Sequence, residues 1–372
     1  MKLSRMVQLL TPQSRKLAAE LHISIRDEVE LIVAPFDGAE LVSLRSLASQ
    51  PVDSPWDVLK DRRSAGVSSP GPSAQVAPSP STAEWRSVSA IIPAFNAEKT
   101  IEGALRSALA QTLAPLEIIV VDDGSLDRTC EIVERVEGPI TLLRQANAGP
   151  AAARNRGARH ARGYWLGLLD ADDNWATTKL ARQLAERPAD TVAVVHCLSN
   201  TSPPNIPERM TFQELWEKNW IINSSVLVRR DVYEAVGGMD EEIRNTQDYH
   251  LWLRLAGLGW EFSLLREELV FYRTGSGISH NPERLFRGLE LTLAKIQDEF
   301  RIPSKAVRRR RVRGLEEAVA GAVHHRKLSF ARRASREAAY LSPTPLNVAK
   351  LLTSHLPKRV LDLKREIFSM FL

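Results

Sequence analysis

Two cysteines, Cys130 and Cys197, are all that 372 residues supply. They are too few for a disulfide framework and wrongly spaced for a cysteine-held zinc. Each falls in an apolar stretch, which points to buried thiols in a reducing compartment. Aromatic residues reach only 6%, and the basic stretches lack the interleaved aromatics that stack on bases, so nucleic acid is not an expected partner. No apolar run approaches the roughly 18 residues of a membrane-spanning helix. The opening MKLSRMVQLLTPQSRK interrupts its apolar stretch with charge and has no signal-peptide core, so a cytoplasmic protein is expected. No His/Cys cluster suits a soft metal, and His324 and His325 read as surface residues.

What is present reads as a folded chain: 44% hydrophobic, 26% charged, and long enough for two domains of about 150 residues. The net charge of +5 hides an asymmetry. Residues 301–372 carry 17 Lys and Arg against 5 Asp and Glu, leaving 33 against 40 in residues 1–300. A basic tail on an acidic body suggests an anionic surface as partner. Residues 1–62 are of mixed polarity, with a possible strand in ELIVAPF (30–36), and receive no functional assignment. A Ser-, Pro- and Ala-rich run at 63–86 reads as a linker.

From residue 87 the pattern changes. VSAIIPAF (88–95), LEIIVVDD (116–123), ITLLRQ (140–145), YWLGLLDAD (164–172) and TVAVVHC (191–197) are short, β-branched apolar runs that suit strands buried on both faces. Helical patterns lie between them. Ile101, Leu105 and Leu109 recur at helical spacing, and Ser125 can cap a helix whose inner face holds Cys130, Val133 and Val136. Such alternation predicts a mostly parallel α/β sheet with helices on both faces. Ligands of such sheets bind beyond the carboxyl ends of the strands. PAFN (93–96), DDGS (122–125) and DADD (170–173) all follow strands, so they converge on that one edge.

Each cluster has a plain reading and a functional one. Pro93 ends a strand and Asn96 is free to cap the next helix. Asp122 and Asp123 make an Asx turn, or accept hydrogen bonds from a nucleoside. Arg154 and Arg156, on a small-residue helix start, face solvent or meet a diphosphate. Asp170, Asp172 and Asp173 form a solvated turn, or hold a divalent cation beside that diphosphate. Asp248 stabilises a helix N-terminus, or is a general base held ionised there. Trp252, one turn on, packs in the core or meets a sugar's apolar face.

VSAIIPAFNAEKTIEGALRSALAQT, EIIVVDDGSLDRT, NAGPAAARNRGA, GYWLGLLDADDNW and VGGMDEEIRNTQDYHLWLRL, in that order, resemble the GT-A glycosyltransferases of glycosyltransferase family 2. The resemblance implies a Rossmann-like GT-A domain over 87–280. Residues 301–372 fall outside it; there KAVRRRRVRGLEEAVAGAVHHRKLSFARRASREAAYL (305–341) reads as one or two basic helices, part of a helical basic extension over 281–372. It implies a nucleotide-sugar donor, Mn²⁺ or Mg²⁺, and transfer with inversion to a hydroxyl. By position, Pro93, Phe95 and Asn96 would line the nucleoside pocket, with Asp123 on the base and Asp122 beside it. Arg154, Asp170 and Ala171 would complete the donor site. Asp170 and Asp172 would be the metal-binding pair, with Asp173 an alternative ligand. Asp248 would be the base, with Gln247 where the family commonly has Glu, and Gln247 and Trp252 would face the acceptor. Gly275 and Gly277 suit a mobile lid.

The last stretch, KRVLDLKREIFSMFL (358–372), sets Val360, Leu363 and Ile367 on one face between lysines and arginines. It reads as a helix on the inner face of an anionic membrane, or docked on the catalytic domain. Membrane attachment would make a glycan or lipid-linked precursor the natural acceptor. A non-catalytic nucleotide-sugar binder on the same fold is the alternative. A sugar-phosphate nucleotidyltransferase would want a Gly-rich basic loop where PAFNAEK stands.

Overall fold

The computed structural model describes residues 23–25, 31–33, 81–274, 281–344 and 347. The rest of the 1–62 segment, residues 63–80, Gly275, Gly277 and the amphipathic stretch 358–372 lie outside the described residues. Of the described residues, 81–274 and 288–302 form the larger of two compact units. In the smaller unit, β1 (Ile23–Ile25) and β2 (Leu31–Val33) pair antiparallel, β2 falling inside the expected ELIVAPF strand.

The described part of the larger unit starts at Ser81, inside the expected 63–86 linker. Ser81 and Glu84 form a capping box on a one-turn helix, α1 (Thr82–Trp85). Trp85 is buried, and its carbonyl accepts from Trp165 Nε1 at 2.8 Å. The strands β3 (Val88–Ala94), β4 (Glu117–Asp122), β5 (Ile140–Arg144) and β6 (Trp165–Leu168) follow, separated by α2 (Ile101–Leu109), α3 (Thr129–Arg135) and α4 (Pro150–His160). Next come β7 (Asn174–Trp175), α5 (Lys179–Gln183), β8 (Val192–Ser199), α6 (Phe212–Glu217), β9 (Leu227–Arg229), α7 (Arg230–Ala235), α8 (Gln247–Gly257) and β10 (Glu261–Phe271). They make one sheet in the order β5-β4-β3-β6-β9-β8-β10-β7. β7 and β9 run against the other strands, so the sheet is mostly parallel, as expected.

Helices cover both faces, as strand alternation requires. Ile92 and Val120 pack with Ile101 and Leu105 of α2 in one core. Ile91 and Val121 point the other way, towards α4, where a Cβ on Gly157 would lie 2.6 Å from Ile91. β5 departs from the expected two-sided burial because it is the sheet's edge, and its residues are half-buried or exposed. Cys197 is buried, whereas Cys130 is only half-buried.

Three local expectations are corrected. β3 does not stop at Pro93, which pairs with Val121 before the strand ends at Ala94. Ladder bonds on the side Pro93 would use end when Ile91 accepts from Leu169 N, so its missing N–H costs nothing. α3 starts at Thr129, its N-cap is Arg128, and Val136 lies past its end. Ser125 and Asn96 do not cap helices but join each other's loops.

α9 (Pro282–Phe300) belongs to the larger unit from Gly288 onward, where it braces α8. Thr292 and Thr246 hydroxyls meet at 2.9 Å, and Glu299 takes Arg254 Nε at 2.9 Å. In the smaller unit, α10 (Ser304–His324) and α11 (Leu328–Leu341) give the expected basic helices, with Phe330, Ala334 and Ala338 buried and Arg311 paired to Glu337 at 2.5 Å.

Candidate active site

β4, β3 and β6 are neighbouring parallel strands, so their carboxyl ends share one edge. Asn96 adopts φ 50° and links the first two clusters: its N–H donates to Ser125 Oγ, and its Oδ1 accepts from Leu126 N, both at 2.9 Å. Gly124, at φ 79°, makes the turn that permits this. Phe95 stands 51% exposed beside it, an apolar face at the strand end. Pro93 is half-buried beneath.

Asp122 and Asp123 point inward and are buried. Asp123 Oδ1 accepts from Gln145 Nε2 and Ala148 N, and its Oδ2 from Gly149 N, all at 2.8 Å. Its carboxylate therefore anchors the segment that leads into α4. Asp122 Oδ2 accepts from Ser125 N at 3.2 Å.

The acidic turn is divided in its allegiance. Asp173 is 1% exposed, and its oxygens accept from Ser224 Oγ at 2.5 Å and Arg273 N at 2.9 Å. Burial, then the charge of Asp170, pushes its pKa up to about 7. Asp170 Oδ1 accepts from Arg154 Nη2 at 2.5 Å and Asn223 Nδ2 at 3.0 Å. Among the described residues, Asp170 Oδ2 accepts no hydrogen bond, and the Asp172 carboxylate none from another residue. Burial and neighbouring Asp170 hold Asp172 above the usual carboxylate range. Ala171 is buried between them.

This donor set fits a hard divalent cation. Among the described residues no three His, Cys, Asp or Glu gather into a cage, but two carboxylates plus substrate phosphates are a usual Mg²⁺ site. Asp170 and Asp172 have the oxygens to give; those of Asp173 are already engaged.

Arg154, on α4, is 4% exposed. Its Nε and Nη1 are buried with no hydrogen-bond partner among the described residues. Its charge also reaches Asp248, in the first turn of α8. Burial raises the Asp248 pKa, opposed by the Tyr249 N–H and by Arg154. Asp170, Arg154 and Asp248 are thus brought together electrostatically. Trp252 is not part of the group: it is 0% exposed within the core and offers no face to a ligand. Gln247 is buried, its Oε1 without a hydrogen-bond partner among the described residues.

Sequence reading missed the residues that brace this group. Asn223–Ser225 form a 3₁₀ turn just before β9, against the acidic turn. Asn155 fills its whole amide: Nδ2 donates to Met239 O and Glu241 Oε1, while Oδ1 accepts from Tyr233 OH and Met239 N. It thereby holds the turn that precedes α8. Gly238, at φ 73°, allows the approach, since a Cβ there would lie 2.5 Å from Asn155 Oδ1.

Residues 89–237 match the profile of Glycosyl transferase family 2. The E. coli protein WfgD, named as a UDP-Glc:α-D-GlcNAc-diphosphoundecaprenol β-1,3-glucosyltransferase, is 30% identical over 45% of this chain and 69% of its own length. The chain belongs to glycosyltransferase family 2. The glycosyltransferase EpsJ of Bacillus subtilis (strain 168) is 32% identical over half of this chain, which spans 60% of that relative's length. Among solved structures, the mannosyltransferase PcManGT from Pyrobaculum calidifontis, determined with GDP-Man and Mn²⁺, superposes with a TM-score of 0.52 at 21% identity, over 81% of this glycosyltransferase and 91% of PcManGT. That likeness is one of fold, and it agrees with the GT-A architecture of the sheet.

Proposed function

We propose that this glycosyltransferase is inverting and divalent-metal-dependent, and moves a sugar from a nucleotide-sugar, a UDP-sugar by preference, to a hydroxyl of a glycan or lipid-linked precursor. The observation that carries the reading is Arg154, buried with its charge shared between Asp170 and Asp248 at the carboxyl edge of the sheet. The exposed Phe95 suits a nucleobase face, with Pro93, Asn96, Asp122 and Asp123 shaping the pocket around it. Asp170 and Asp172 would hold Mn²⁺ or Mg²⁺, which when bound offsets the charge of the leaving diphosphate.

Asp248 accepts the proton of the acceptor hydroxyl as its oxygen bonds to the anomeric carbon and the bond to the diphosphate breaks. Inversion needs only this one base. Arg154 keeps Asp170 and Asp248 from repelling each other. The name of WfgD supports a lipid diphosphate-linked sugar as the acceptor to try first. Among the described residues no helix is long and apolar enough to cross a membrane. Peripheral attachment would rest on the 358–372 stretch, and liposome flotation of full-length chain against 1–357 tests it.

Calorimetric titration of UDP and GDP, with and without Mn²⁺, tests the donor site. UDP binding that needs both Mn²⁺ and Asp172, by loss in Asp172→Asn, is the expected result. No binding of either nucleotide would sink the reading.

A further inference from the structure

We infer that Asn223 is a positioning residue that selects which oxygen of Asp170 the donor site receives; this rests on the reading of Asp170 as a donor-site carboxylate. Asn223 is 7% exposed, in the 3₁₀ turn before β9. Its Nδ2 donates to Asp170 Oδ1 at 3.0 Å, the same oxygen that Arg154 Nη2 reaches from α4. Two donors thus saturate one oxygen, and Oδ2 accepts nothing among the described residues. A carboxylate gripped in this way cannot rotate to exchange its oxygens without breaking two charge-assisted bonds.

The amide's orientation is fixed by the same contact. Turned over, it would set its carbonyl against a carboxylate oxygen, so the N–H must face Asp170. The consequence is a fault elsewhere: Asn223 Oδ1 is buried with no hydrogen-bond partner among the described residues. A buried polar atom without a partner is costly, so the contact with Asp170 is kept against that cost. Such local faults mark places where function overrides stability. Ser224 provides the contrast. Its hydroxyl donates to Asp173 Oδ2 at 2.5 Å and accepts from Asp170 N at 3.1 Å, so both of its roles are filled. Its carbonyl also accepts from Trp175 Nε1 at 2.8 Å, which fixes the turn to the strand after the acidic run.

Stability and affinity should therefore part at Asn223 and travel together at Ser224. The test is titration of UDP and of GDP, each with Mn²⁺, into wild type, Asn223→Ala and Ser224→Ala, with unliganded melting temperatures for all three. Asn223→Ala should bind the preferred nucleotide about ten-fold more weakly, the scale of one lost charge-assisted bond. Its melting temperature should be unchanged or higher, since the orphaned carbonyl goes too. Ser224→Ala should lose both melting temperature and affinity. Wild-type affinity in Asn223→Ala overturns the inference, as does a joint loss of stability and affinity there. A Ser224→Ala chain of wild-type stability removes the contrast and overturns it as well. Wild type that binds neither nucleotide fails differently: the donor-site reading itself then falls, and the inference with it.

Discussion

Arg154 and Asp170 pair at 2.5 Å across a gradient of burial, the guanidinium enclosed and the carboxylate half open to solvent. The enclosed partner is the one that cannot lose its charge. The pair is also the point where α4, the acidic turn and the start of α8 meet, which makes it the most sensitive place to disturb.

Arg154→Met should lower stability by about 1–3 kcal/mol, a range reduced for the solvent that reaches Asp170. It should abolish detectable nucleotide binding. Arg154→Lys should not restore it, because a compact ammonium cannot span Asp170 and reach towards Asp248 as a planar fork does. Urea unfolding and calorimetry check both statements.

Asp123→Asn separates two roles for a buried carboxylate. Gly149 N donates to one oxygen, Gln145 Nε2 and Ala148 N to the other. An amide must set its own N–H against one of those donors, so unfolding free energy should fall by about 2 kcal/mol. A carboxylate that only touched a base would leave urea stability unchanged and weaken nucleotide binding alone.

That result bears on what was legible in the sequence. The runs VSAIIPAF and LEIIVVDD read as buried strands because period and composition are local, and the structure places strands there. DADD at a strand end was legible as a concentration of charge. The direction of each carboxylate was not. Asp170 and Asn223 lie 53 residues apart, and a hydrogen bond between distant residues leaves no period to find. Trp252 was ambiguous for a related reason: spacing from Asp248 puts both on one stretch of helix, while burial depends on what packs against it. Contacts between residues far apart in sequence, not local spacing, decided these cases.

His196 is buried on β8, its Nε2 without a partner among the described residues, and burial pulls its pKa down to about 4 from 6.5. The unfolded chain then binds a proton between those values that the folded chain refuses. Stability should rise with pH from about 4 to 6.5 and level off above, by roughly 3 kcal/mol for this group. His196→Gln should flatten that part of a stability–pH curve measured by urea unfolding. A curve unchanged by the substitution would mean the ring is accessible to protons in the fold.

Lys179 gives the alkaline counterpart. It is fully buried, 4.4 Å over the Trp175 ring, with Gln183 Oε1 2.7 Å from its ammonium, and burial lowers its pKa from 10.5 to about 8. Between about 8 and 10.5 the unfolded chain holds the extra proton, so stability should climb with pH across that window. Lys179→Met should remove the slope and, if the lost Gln183 contact is small, raise stability at pH 7 by about 1–3 kcal/mol. Differential scanning at pH 7 and pH 10 reads both effects.

Asp248→Asn distinguishes a transferase from a binder on the same fold. The substitution keeps shape and removes the proton acceptor, so donor affinity should stay within about two-fold while turnover falls by about 10²–10⁴. Burial raises the wild-type pKa, and the protonated acid cannot accept the acceptor's proton. The rate should therefore decline as pH falls through a midpoint above the usual carboxylate value of about 4. In Asp248→Asn that acid limb should vanish from the residual rate. Were the limb to survive the substitution, another group would be taking the proton. Were turnover to survive as well, the placement of Asp248 at the N-terminus of α8 would serve the helix alone, through its dipole.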